Sequence, residues 1–121
     1  VLAAGRRAAL RWADLISRSD ALELYQRPEL DIVGYFPTVD PATLSAVDAA
    51  SARVLTAGMN DGDPVFLSTL KAGREAFAVR HPGITADVDG ARILRSVLMK
   101  PESEQHVERL HDRVEQLARP H

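Results

Sequence analysis

Cysteine is absent from this 121-residue chain. That excludes a disulfide framework and any thiolate nucleophile or metal ligand, and it fits a reducing, cytoplasmic setting. No apolar run approaches ~18 residues, so no segment reads as a membrane-spanning helix. The opening residues carry Arg6 and Arg7 but lack the apolar core of a signal peptide. Neither sign of charge dominates: 15 Lys and Arg face 17 Asp and Glu, for a net charge of -2 and a pI near 6.1. There is thus no electrostatic case for nucleic acid or an anionic membrane as partner. Aromatic residues are only 5% of the chain, with one tryptophan and two tyrosines, too few for a base-stacking platform. Lysine is nearly missing, with Lys71 and Lys100 alone, and no glycine-rich phosphate loop accompanies them. A Schiff-base lysine needs a desolvated pocket beside a phosphate site, so neither reads as a cofactor anchor. No methionine opens the chain, which fits a piece of a longer protein.

What is present is ordinary for a water-soluble domain: 45% hydrophobic and 26% charged residues, in a length that one core can serve. Ala9, Trp12, Ala13 and Ile16 fall at helical spacing, with Arg6, Arg7 and Arg11 on other faces, and predict a helix over about 1–18. Two short extended pieces follow, around 22–26 and 32–36, separated by Arg27-Pro28-Glu29. Asp40-Pro41 has the chemistry of a helix start, a side-chain acceptor followed by proline. Leu44, Val47, Val54 and Leu55 supply that helix's apolar face, and Gly58 reads as its terminator.

Asn60-Asp61-Gly62-Asp63-Pro64 is a turn cluster leading to a third strand over 65–70. A short helix over 74–80 ends before His81-Pro82-Gly83, and a fourth strand runs over about 91–99. Val107, Leu110, Val114 and Leu117 then mark one stripe of a last helix, about 102–118. Short strands interleaved with one-faced helices specify an α+β layer: a small, mainly antiparallel sheet of about four strands covered by helices.

Most combinations of chemistry-bearing residues fail a geometric test. His106 and His111 are not at the i,i+4 spacing that pairs metal ligands on a helix, and the histidines read as solvent-facing. Asp61-Gly62-Asp63 lacks the further oxygen ligands and closing glutamate of a calcium loop, and reads as a turn. Asp87 and Asp89 sit in a loop with nothing to make them converge as an acid and base. Ser68-Thr69 lies in a strand, not on a sharp nucleophile turn, and reads as sheet or interface. No catalytic or metal-ligating residue is therefore assigned.

Arg95 is the exception. In Ile93-Leu94-Arg95-Ser96-Val97-Leu98-Met99 it occupies the face shared by Ile93, Val97 and Met99 at a period of two. A guanidinium on an apolar face must meet water, a carboxylate or a ligand. By residue pattern alone, a structural salt bridge and a ligand-binding role both account for it.

This strand, with Lys100-Pro101 and the amphipathic helix after it, resembles the closing segment of the group II pyridoxal-phosphate-dependent amino-acid decarboxylases, the family of the glutamate and aromatic-amino-acid decarboxylases. The resemblance extends to most of the chain. Pro28-Glu29-Leu30-Asp31-Ile32-Val33 looks like the family's entry from loop to strand, Val65-Phe66-Leu67-Ser68-Thr69-Leu70 like its next strand, and Arg80-His81-Pro82 like the end of its short helix. Order and spacing carry the match, since none of these motifs is diagnostic alone.

The resemblance implies that residues 1–121 are the C-terminal small domain of a fold-type-I pyridoxal-phosphate enzyme, with a helix over about 1–18 and a sheet-and-helix unit over about 22–121. It implies that Arg95 binds the α-carboxylate of an amino-acid substrate. The cofactor would sit on a lysine of the protein's own large catalytic domain, and the full-length protein would be a homodimer, with this piece inactive by itself. A free-standing α+β small-molecule-binding or dimerisation module is the alternative that the residues leave open.

Overall fold

The computed structural model describes residues 2–28, 32–60, 68–97 and 103–119. Its elements are α1 (Leu2–Ser17), β1 (Leu22–Leu24), β2 (Ile32–Pro37), α2 (Leu44–Asn60), β3 (Ser68–Gly73), α3 (Arg74–Arg80), β4 (Gly90–Val97) and α4 (Ser103–Ala118). The four strands form one sheet in the order β1-β2-β4-β3, and every pairing is antiparallel. The α+β class and the antiparallel sheet stand as the sequence implies.

The sheet is a middle layer because its strands are apolar on both faces. Period-two alternation puts Val33 and Tyr35 of β2 and Leu94 of β4 on one side. They join a cluster with Trp12 and Ile16 of α1, Val54 of α2, and Val107 and Val114 of α4. Phe36 and Ile93 point to the other side and join Tyr25, Ala72, Phe77 and Ala91, together with Leu44 and Val47 from the start of α2. Trp12, Tyr35, Phe36 and Phe77 are the largest side chains fully removed from water. Burying each contributes roughly 1.5–3 kcal/mol against leaving it exposed.

Alanine-rich α1 owes its helix to high propensity and its place to the stripe Ala9, Trp12, Ala13 and Ile16, all buried. It packs on α4, with Arg11 reaching Glu108 at 2.5 Å. Ser19 turns the chain into β1: its hydroxyl accepts the N–H groups of Ala21 and Leu22 at 3.0 and 3.2 Å and donates to Glu115 on α4. That one side chain ties the first turn to the last helix.

Four expectations are corrected by local chemistry. Helix α2 does not start at Asp40-Pro41, whose peptide bond is cis; it starts at Leu44. Thr43 is the cap, its hydroxyl accepting the Ala46 N–H at 3.2 Å, while Asp87 accepts the Ser45 N–H at 3.0 Å. Gly58 does not end α2 but lies buried within its last turn. Strand β3 runs to Gly73, three residues beyond the expected end, because its ladder with β4 continues through Lys71↔Arg92 and Ala72↔Ala91. The beginning of that expected strand, 65–67, lies outside the described residues, as do Asp61-Gly62-Asp63, Met99 and Lys100. The fourth correction is His111, which faces the core rather than solvent.

Candidate functional site

Strand β4 is interior to the sheet, flanked by β2 and β3, so its side chains are set by two ladders at once. Arg95 lies opposite Gly34 on β2 and opposite Ser68 on β3. Directly opposed antiparallel residues share a face, so the arginine has a small neighbour on each side. The Ser68 hydroxyl is occupied, donating to the Arg95 carbonyl at 3.1 Å.

On this face α3 covers only one end of the sheet. Ile93 is 1% exposed beneath it, whereas Arg95, two residues further along, is partly exposed, and Leu70 of β3 is 46% exposed. The boundary between covered and open sheet therefore falls between Ile93 and Arg95. The Arg95 Nε is buried and has no hydrogen-bond partner. Among the described residues no carboxylate pairs with it, although Arg11, Arg18, Arg74, Arg92 and Arg119 all have one. A guanidinium donor shielded from water and left unpaired costs about 1–3 kcal/mol or more.

Beside this open region lies an aromatic cluster that is structural. His81 Nε2–H donates to the Tyr25 carbonyl at 3.0 Å. Its ring stacks on Tyr25 and meets the edge of Phe36, with centroids 5.8 and 5.0 Å away. Arg80 lies over the Tyr25 ring at 5.2 Å, a cation–π contact. These contacts seat α3 on the sheet.

His111 is the residue that sequence reasoning misplaced. It is 5% exposed, and its Nδ1 accepts the Trp12 indole N–H at 3.2 Å. Indole only donates, so Nδ1 carries no proton and the neutral imidazole is the Nε2–H tautomer. Nε2 lies 3.6 Å from Glu115. The signal was available: position 111 is four after Val107 and three before Val114, which puts it on the buried stripe. A lone tryptophan in a core also needs an acceptor.

The acidic pair does not converge. Asp87 accepts from both the hydroxyl and the N–H of Ser45, and these bonds hold its carboxyl below the usual range. The Asp89 side chain stands in solvent, 3.9 Å from Arg74. On the other face, Arg92 grips Asp48 of α2 with bonds of 3.0 Å from Nε and Nη2. That grip lowers the Asp48 carboxyl below its ordinary value. No group of three or more His, Cys, Asp or Glu side chains among the described residues is placed to hold a metal ion. No described helix is long and apolar enough to cross a membrane.

Helices packed on both faces of a four-stranded antiparallel sheet, one face left partly open around an arginine, define an α+β domain, and a solved structure contains the same arrangement. Such a structure is the glutamate decarboxylase domain of diaminobutyrate-pyruvate transaminase and L-2,4-diaminobutyrate decarboxylase from Vibrio parahaemolyticus. The two folds match with a TM-score of 0.64 at 21% sequence identity, over 96% of this chain and 21% of that one. The likeness is one of fold, and the present chain spans about a fifth of that structure's length. No protein-family model and no curated protein sequence matches the chain.

Proposed function

We propose that this chain is the C-terminal small domain of a pyridoxal-phosphate-dependent amino-acid decarboxylase, and that Arg95 binds the α-carboxylate of the substrate. The observation that carries the reading is the buried, unpartnered Nε of Arg95 on the open part of the sheet. It sits on a fold shared with part of a decarboxylase-domain structure. A planar fork without an acid partner among the described residues is matched to a carboxylate supplied from outside.

The described residues do not fit the anchoring of pyridoxal phosphate. Lys71 is exposed on the edge strand β3, where nothing desolvates its amine, and the chain has no glycine-rich phosphate loop. The cofactor and the bond-breaking steps accordingly belong to the protein's own large domain, and no catalytic residue is assigned here. In this reading the open sheet face packs towards that domain, the full-length protein is a cytoplasmic homodimer, and the 121-residue chain by itself is inactive. Arg95 orients the carboxylate, and orientation is the part of the barrier that a positioned group lowers.

The test is steady-state kinetics of the full-length protein carrying Arg95→Ala, with cofactor occupancy and fold measured separately. Losing a bidentate, charge-assisted partner in a desolvated site costs about 2–5 kcal/mol, roughly 30- to several-thousand-fold in kcat/KM. Arg95→Lys does not restore full activity, because an ammonium lacks the planar fork. Near-normal kcat/KM in a folded, cofactor-loaded Arg95→Ala protein overturns the reading.

A further inference from the structure

We draw no further inference here: the strongest candidate, the open part of the sheet face that carries Leu70 of the edge strand β3 beside Arg95, belongs to the site already described, and nothing among the described residues shows what else would cover it.

Discussion

Replacing Arg95 by leucine separates a ligand-binding arginine from a structural one through stability alone. If Arg95 made a salt bridge within this domain, removing it would strand a carboxylate and cost about 3–5 kcal/mol. Its Nε instead is buried with no partner, so the substitution removes a penalty of about 1–3 kcal/mol. Partial exposure of the residue places the gain at the lower end of that range. The aliphatic stem of arginine and the leucine side chain cover similar apolar area, so packing nearly cancels at ~0.8 kcal/mol per methylene. The expected outcome is that Arg95→Leu stabilises the chain by ~1 kcal/mol. Unfolding entropy near 2.1 cal/mol/K per residue over 121 residues gives ~0.25 kcal/mol/K. The gain therefore raises Tm by about 4 °C, measurable by calorimetry, with a matching rise in urea midpoint at unchanged m-value. Destabilisation of about 3 kcal/mol or more would refute the argument and make Arg95 a structural residue.

Trp12→Phe keeps most of the ring but removes the donor to His111 Nδ1; it is expected to cost about 1–3 kcal/mol by leaving a buried acceptor unpaired, read from the urea midpoint. An unchanged midpoint would show that the bond adds nothing to the packing. For Asp48 the folded carboxyl is depressed, chiefly by its hydrogen bond from Arg92. Its contribution is complete above the unfolded value of about 3.9 and is lost as pH falls through the lower folded value. Asp48→Asn is expected to cost about 0.2–1 kcal/mol at neutral pH, since the pair is partly exposed, and to flatten the stability curve below about pH 4. A variant curve parallel to the wild type throughout that acid limb would rule out the linkage.

The fold was legible wherever one periodicity ran unbroken. Ala9, Trp12, Ala13 and Ile16 announce α1 because positions three and four apart are apolar, and all four are buried. The strand around Arg95 was legible from its alternation, and the arginine stood out because it lies on the apolar face of that pattern. Errors arose where polar side chains choose between partners that sequence does not order in space. Asp40 has cap chemistry, but Thr43 and Asp87 provide the acceptors at the start of α2, the second from 42 residues beyond its partner Ser45. The extent of β3 depended on how far β4 offered a ladder, a nonlocal fact. At the candidate site Arg95 stood out, whereas Gly34 did not: its position opposite the arginine emerges only from the register of two strands far apart in sequence.

The bond between Trp12 and His111 spans 99 positions of sequence, and the helices it joins are the first and last elements of the chain. During synthesis the sheet is complete only once its interior strand β4 has emerged, and the helix that completes one of its two coverings follows directly after it. Until α4 leaves the ribosome, Trp12, Leu94 and Val54 lack the Val107 and Val114 that close their cluster. The nascent domain is an open sheet with an apolar flank, the species that aggregates or recruits a chaperone. Completion of this domain is a late event, fixed by topology rather than by the speed of any single strand pairing.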